Sequence, residues 1–410
     1  MKRIAILGST GSIGRQCLSV IEALPERLSV VALAAGNNME ELCGQIGRHR
    51  PQVVSVAGQG RSSELAERLR VAGVSPLPEI HWGREGMLAV ATHPDAEMVV
   101  SAAVGVVGLE ATYGAIEKRK AIALSNKEVL VAAGELVMAA AQRAGIELLP
   151  VDSEHNAIHQ CLRGGQRAEV KRLVLTASGG PFRKTPLRDL PRVTPEQALA
   201  HPNWRMGRRI TVDSATLVNK GFEVMEARWL FGVTPDQIDV VIHPQSTIHS
   251  LVEFVDGSVL AQLGPTDMRL PIQYALTYPE RVASKQCALD WSKVSRLDFQ
   301  EVSLRRFPCL KLARQALAKG GALPCAFNAA DEVAVSAFLE GRLPFTGIAA
   351  VIERVLGRAS SRRLAGIADV LSADEEARAM AREEIERRAE KVASPAETAG
   401  GGCAGGIEGT

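Results

Sequence analysis

The fold of the chain turns on Arg3–Gly14, RIAILGSTGSIG. The apolar run Ile4–Leu7 reads as a strand, breaks at Gly8, and gives way from Ile13 to Ala23 to apolar positions at helical spacing. Between them Gly8, Gly11 and Gly14 permit a tight turn and a close backbone approach to a diphosphate lying on the N-terminus of the helix. Strand, glycine-rich turn and helix in that order open a dinucleotide-binding α/β sheet.

The alternation continues outward to about residue 150. Arg3–Leu7, Val30–Ala34, Val53–Val56, Met98–Ser101, Ala121–Leu124 and Glu147–Val151 predict strands. Ile13–Ala23, Met39–Arg48, Glu64–Ala72, Leu109–Lys118 and Lys127–Arg143 predict the helices between them. That pattern requires a parallel sheet covered on both faces, so residues 1–150 read as a doubly wound, Rossmann-type domain. The second strand runs into Ala35, Gly36, Asn37 and Asn38 and offers no carboxylate to repel a 2′-phosphate, which favours NADP over NAD. Glu40 and Glu41 come later and read as acids stabilising a helix N-terminus. Ser125-Asn-Lys-Glu128 follows the fifth strand, where a nicotinamide should arrive; it also reads as a helix cap.

Residues 151–280 mix strands and helices, with a hairpin signal at Asp256-Gly257 between Ser250–Val255 and Ser258–Leu263, and predict a central α+β catalytic domain. Within it Ser178–Arg208 holds five prolines and little periodicity, the marks of a mobile lid. Its basic residues Arg183, Lys184, Arg188, Arg192, Arg205 and Arg208 read mostly as a solvated face. Residues 281–305 form a connecting segment. Over residues 306–393, Leu310–Leu317, Ala326–Leu339, Phe345–Leu356 and Ala373–Lys391 predict a small C-terminal helical bundle, and 394–410 a disordered tail.

Forty-eight basic against 46 acidic residues leave a net charge of +2, so no global field recruits nucleic acid. The seven cysteines are scattered without metal or redox spacing and read as reduced thiols. Ile4–Leu7 is too short for the core of a signal peptide, and the most apolar stretch, Met98–Leu109, is interrupted by Ser101, Gly105 and Gly108. A cytoplasmic protein without a membrane partner is expected.

Chemistry concentrates in His201–Glu226, HPNWRMGRRITVDSATLVNKGFEVME, and at Asp152-Ser-Glu154. If the strand before them continues, Asp152 and Glu154 point the same way and share one cation. An oxygen cage selects Mg²⁺ or Mn²⁺. His155 and His159 lack the intervening glutamate of a zinc motif and read as structural. A third carboxylate comes from Glu223 or Glu226, and spacing alone does not choose. Ser214, Asn219 and Lys220, with the turn Ser178–Gly180, carry the groups that hold a phosphate dianion. His201 and Trp204 on the lid are placed to close over a substrate.

Taken together, GSTGSIG from Gly8, SNKE from Ser125, VDSEHNAI from Val151, SGGPFR from Ser178, HPNWRMG from His201, VDSATLVNKGFEVMEARWLF from Val212 and FNAADEVAVSAFL from Phe327 resemble the 1-deoxy-D-xylulose 5-phosphate reductoisomerase family. The resemblance spans residue 1 to about 390. It implies rearrangement of that phosphorylated sugar and reduction by NADPH to 2-C-methyl-D-erythritol 4-phosphate, a step of isoprenoid precursor synthesis, with Mn²⁺ or Mg²⁺, or Co²⁺, as cofactor. It assigns the metal to Asp152, Glu154 and Glu223. Substrate falls to Lys127, Ser153, Glu154, Ser178, His201, Ser214, Asn219, Lys220 and Glu223, with Lys127 and His201 joining the metal ligands as catalytic residues. NADPH falls to Thr10, Gly11, Ser12, Ile13, Gly36, Asn37, Asn38, Asn126, Glu128 and Gly207. The resemblance also implies a homodimer. Asn37 stands where some members carry lysine, Arg209 where lysine is frequent, and Phe222 where leucine is frequent. Competing readings are a simple NADP-dependent dehydrogenase, which needs no three-carboxylate metal site, and a non-enzymatic NADP-binding scaffold.

Overall fold

The computed structural model describes residues 1–204, 206–284 and 287–393. Arg205 of the expected lid and the expected disordered tail 394–410 lie outside the described residues. Seven strands, β1 (Lys2–Leu7), β2 (Leu28–Ala34), β3 (Val53–Val56), β4 (Glu79–Trp82), β5 (Met98–Ser101), β6 (Ala121–Leu124) and β7 (Leu148–Pro150), form one parallel sheet in the order β4-β3-β2-β1-β5-β6-β7. Winding reverses between β1 and β5, which opens a crevice at their carboxyl ends. The central strands are nearly continuous apolar runs because helices bury both faces; β3 and β5 are buried at every position. β4, with the helix Gly83–Ala91 after it, departs from expectation: EIHW is an edge strand of mixed polarity with no fully buried residue.

A second departure bears on the site. The expected strand Glu147–Val151 ends at Pro150, and Asp152 and Glu154 are not on a strand. Asp152 instead begins the helix Ser153–Cys161, its side chain accepting the N–H of Ser153 (3.1 Å). Pro150 brings no N–H to a further ladder, and the Asp152 cap turns the chain into the helix.

The second sheet holds β8 (Val170–Ala177), β9 (Ile238–Ile242), β10 (Ile248–Phe254), β11 (Val259–Leu263) and β12 (Gln300–Glu301), in the order β11-β10-β8-β9-β12. β8 and β9 run parallel and the remaining pairs antiparallel. Asp256-Gly257 turns the β10–β11 hairpin with Gly257 at φ +86°. The segment 281–305 does more than connect, since β12 extends this sheet.

Most of the expected lid is folded onto the core. The 3₁₀ helix Leu187–Arg192 and the helix Pro195–Leu199 hold Leu190 and Ala198 buried, and Phe182 meets Phe345 edge-on at 5.0 Å. The prolines start or punctuate these short turns, which hides their periodicity. Of the basic residues read as a solvated face, Arg183 keeps Nε and Nη1 buried. The helices Pro308–Lys319, Leu323–Leu339, Phe345–Arg358 and Ile367–Ala393 complete the C-terminal bundle. One apolar core runs from the second sheet into this bundle through the Phe222–Phe327 ring contact (5.6 Å). Two further clusters cover the faces of the parallel sheet. Among the described residues, no helix is long and apolar enough to cross a membrane.

Candidate active site

The glycine turn is shaped by steric necessity at two positions. Gly8 has φ +86°, and a Cβ there would lie 2.6 Å from the Ala102 carbonyl oxygen; at Gly14 a Cβ would lie 2.3 Å from the Gly8 oxygen. The chain therefore passes close to β5 and seats the helix Ser12–Ala23 against the sheet. No side chain caps that helix at Gly11, so its first N–H groups stay available to an anion. They face a cavity of about 1030 Å³.

Gly11, Ser12 and Ile13 line one end of this cavity and Asn126, Lys127 and Glu128 its middle, with Gly207 opposite. Thr10, Gly36, Asn37 and Asn38 stand outside its lining. The end of β2 nevertheless adjoins the glycine turn, since Gly8 and Ser9 both donate to the Ala34 carbonyl (2.8 and 2.9 Å). Asn38 caps the helix Met39–His49 by accepting the N–H of Glu41. Asn126 braces the cavity wall, accepting the Glu128 N–H (3.1 Å) and donating to the Gly105 carbonyl (2.9 Å).

At the far end three carboxylates converge: Asp152, Glu154 and Glu223 each offer an oxygen within 4.8 Å of the others. Asp152 and Glu154 line the cavity, and fully buried Glu223 stands behind them. Lys127 Nζ lies 3.3 Å from Asp152 Oδ2, an oxygen that is buried without a hydrogen-bond partner. Lys220 donates to Glu154 (2.9 Å), to Glu223 and to the Thr176 carbonyl, while Asn219 Nδ2 donates to Glu223 (2.6 Å) and Ser153 Oγ to Glu154 (2.5 Å). Burial, reinforced by Glu154, pushes the Glu223 carboxyl up to about 8. Burial alone would lower the Lys127 ammonium, but Asp152, Glu226 and Glu223 outweigh it and hold the group well above its ordinary range. The all-oxygen donor set, with an Asp152 oxygen that accepts no hydrogen bond, fits a hard divalent cation.

His155 and Glu226 lie beneath this cluster. The His155 ring is fully buried, with Nε2 2.9 Å from the Glu223 carbonyl and Nδ1 facing Asp152 (3.4 Å) and Glu226 (3.8 Å). Burial opposes its charge, yet Glu226 and Asp152 raise it to about 9. Asp152, His155 and Glu226 thus form a second group of possible ligands, of which Asp152 alone lines the cavity. His159 joins Tyr274 (2.8 Å) and Glu147 (3.0 Å), away from the cluster.

Ser178, Ser214, Asn219 and Lys220 line the same end of the cavity, with Gly179 and Gly180 both at positive φ. His201 Nδ1 sits 3.2 and 3.0 Å from the N–H groups of Asn203 and Trp204 and accepts from them, so its proton is on Nε2, which donates to Ser178 Oγ (3.0 Å). Gly180 N–H donates to the same oxygen (3.2 Å), which leaves the Ser178 hydroxyl hydrogen free to point into the cavity. Burial lowers the His201 pKa, in keeping with a neutral ring. Ser246, Ile248, His249 and Thr266–Met268 complete the wall. None was expected; for Ser246, Ile248 and His249 the polar run His243–Thr247, which leads into β10, was the signal available.

Three family models match the chain: one described as 1-deoxy-D-xylulose 5-phosphate reductoisomerase over residues 4–134, that enzyme's C-terminal domain over 148–231, and a DXP reductoisomerase C-terminal domain over 263–380. A relative of that name from Solibacter usitatus is 52% identical over 385 residues, 93% of this chain and 97% of the relative. The solved enzyme of that name from Zymomonas mobilis, in complex with NADPH, is 41% identical with a TM-score of 0.88, covering 94% of this chain and 99% of that one. Another solved DOX-P reductoisomerase, in complex with NADPH, fosmidomycin and magnesium, is 38% identical with a TM-score of 0.88 over 94% of this chain and 98% of that one.

Proposed function

The chain belongs to the 1-deoxy-D-xylulose 5-phosphate reductoisomerase family, and from that premise we propose how its own residues carry the reaction. The activity is NADPH- and divalent-metal-dependent conversion of 1-deoxy-D-xylulose 5-phosphate to 2-C-methyl-D-erythritol 4-phosphate. One observation carries the assignment of roles: the uncapped helix N-terminus at Gly11 and the Asp152–Glu154–Glu223 cluster open onto or back the same cavity, with Lys127 between them.

Thr10–Ile13, Gly36–Asn38, Asn126, Glu128 and Gly207 take NADPH, and Asp152, Glu154 and Glu223 take Mg²⁺ or Mn²⁺. When bound, the cation draws electron density from the substrate carbonyl and supports charge on oxygen, and NADPH supplies the hydride. Lys127, already 3.3 Å from Asp152, brings a fixed positive charge to that end of the cavity. Ser153 and Lys220 orient the Glu154 carboxylate from two sides. The phosphate rests on Ser178, Ser214, Asn219 and Lys220. His201 and Gly180 both donate to Ser178 Oγ, so Ser178 presents its own proton to a phosphate oxygen. Holding the phosphate away from the reacting carbons aligns them over the nicotinamide.

The protein acts as a homodimer in this reading, supported by the exposed apolar residues beside the second sheet, Val255, Val259, Leu260, Trp291, Phe299 and Leu304. Unpaired cysteines at six described positions support a reducing, cytoplasmic setting. The test follows NADPH absorbance with 1-deoxy-D-xylulose 5-phosphate, in added Mg²⁺ or Mn²⁺ and in chelator. Oxidation is expected only with metal, and comparable turnover in chelator would remove the metal from the reaction.

A further inference from the structure

Arg209 is the second residue of the helix Arg208–Thr216 and lines the cavity with His201, Asn203, Trp204, Met206 and Gly207 before it. One guanidinium there joins three parts of the molecule. Nη1 donates to Glu128 of the cofactor domain (3.0 Å) and to Glu332 of the C-terminal bundle (3.2 Å). Nη2 donates to Asn328 (2.8 Å) and to Asp331 (3.3 Å) on the same helix, Leu323–Leu339. The guanidinium carbon stands 5.9 Å from the ring centre of Phe222, the residue before Glu223. A planar fork with several fixed donors serves four acceptors at once, which an ammonium on a flexible stem does not.

Glu128 is the point that matters for the site. Its Oε1 also accepts the N–H of Gly105 (3.3 Å), and Asn126 holds the Gly105 carbonyl, so the turn Asn126–Glu128 and the loop after β5 are locked to each other. Ala102–Val104 of that loop line the cofactor end of the cavity, and Val104 is 74% exposed, which leaves it free to pack against a ligand there. Without Arg209, Glu128 keeps only the Gly105 N–H among these contacts. None of Asp152, Glu154 and Glu223 touches Arg209 among the described contacts. The guanidinium therefore bears directly on the cofactor wall, and on the metal ligands only at one remove, through Lys127 beside Asp152.

We propose that Arg209 is a positioning residue for NADPH: by clamping Glu128 to the bundle helix Leu323–Leu339 it fixes the Asn126–Glu128 turn and the Gly105 loop in the geometry that receives the cofactor, and anchors the end of the lid to both. The inference rests on the family reading for the identity of the cofactor. Turnover by the unaltered enzyme tests that reading separately. The decisive comparison uses the full-length chain with Arg209→Met and Arg209→Lys, measuring NADPH dissociation by fluorescence in the absence of metal and substrate, then steady-state constants. Arg209→Met is expected to weaken NADPH binding about tenfold or more and to raise KM for NADPH in parallel. KM for the sugar phosphate and the half-saturating metal concentration, which the change reaches only through Lys127, should rise less than KM for NADPH. Arg209→Lys should recover thermal stability but only part of the NADPH affinity. Should Arg209→Met fail to fold, Arg209→Lys and Glu332→Gln carry the test, each expected to weaken NADPH binding threefold or more. NADPH affinity within twofold of the unaltered enzyme in the folded variants, whatever their thermal stability, would reduce Arg209 to a structural tie and overturn the proposal.

Discussion

Glu223 and Glu226 stand one helical turn apart on Val218–Phe231, both buried, yet they face different neighbours. Glu223 meets Asn219, Lys220 and the Asp152–Glu154 pair, whereas Glu226 backs onto His155. Burial raises both carboxyls, Glu223 to about 8 with Glu154 adding to it, and Glu226 to about 7 with His155 pulling the other way. Sequence spacing offered either glutamate to the metal, because a helix presents positions three apart on one side; that Glu223 meets Glu154 as well as Asp152, while Glu226 meets Asp152 beside His155, became visible only in three dimensions. A metal centre contributes several kcal/mol to a transition state, so Glu223→Gln should lower kcat/KM by roughly 10²–10³-fold. Glu226→Gln, which acts through His155 and Asp152, should lose about tenfold, in the range of an outer-shell change. Steady-state kinetics at saturating metal settle this, and equal losses would undo the assignment of Glu223 as a ligand.

At the scale of elements, strands buried on both faces were legible because their sequences are unbroken apolar runs, and helices were legible where one face packs. β4 was not, since EIHW sits at a sheet edge and alternates charge with bulk. The extension of a strand through Asp152 and Glu154 was mistaken for a related reason: Val151 continues the apolar pattern, while the capping contact of Asp152 that starts a helix leaves no periodic trace. The candidate residues at 125–128, 152–154, 178–180 and 201–223 could be read because each short stretch carries several polar groups in sequence. Ser246 and His249 sit in or beside a polar run, but which cavity that run meets is set by the pairing of β10 with β8. The glycine turn gives an element-level prediction. Gly14→Ala drives a Cβ to within 2.3 Å of backbone, so it should destabilise the fold by about 1–3 kcal/mol and weaken NADPH binding. Gly47, exposed in the helix Met39–His49 with nothing within 4 Å of a built Cβ, should gain about 0.5–1 kcal/mol on change to alanine. Urea unfolding of both variants is the check, and a Gly14→Ala protein as stable as the unaltered one would show that the turn gives way easily.

Across the whole molecule, the parallel sheet and the second sheet meet at one cavity, and the core that the second sheet shares with the bundle makes those two a single support for the carboxylates. The outer margin of the second sheet is less settled in isolation. β11 is an edge strand carrying Val259 at 50% and Leu260 at 40% exposure, and Val255 at 66% stands at the hairpin. The opposite edge, β12, is two residues long and flanked by exposed Phe299 and Leu304. Edge strands with apolar side chains and unpaired backbone groups invite association unless covered, and a second copy of this chain would cover them. A stable interface of that kind buries about 800 Å² on each partner. Light scattering on the purified protein should therefore give twice the chain mass, and the paired substitution Val255→Lys with Leu260→Lys should shift it toward the single-chain mass while the circular dichroism spectrum is kept. Unaltered protein that runs as a single chain at micromolar concentration would refute the dimer, and a lysine-bearing protein that stays dimeric would move the interface to another face.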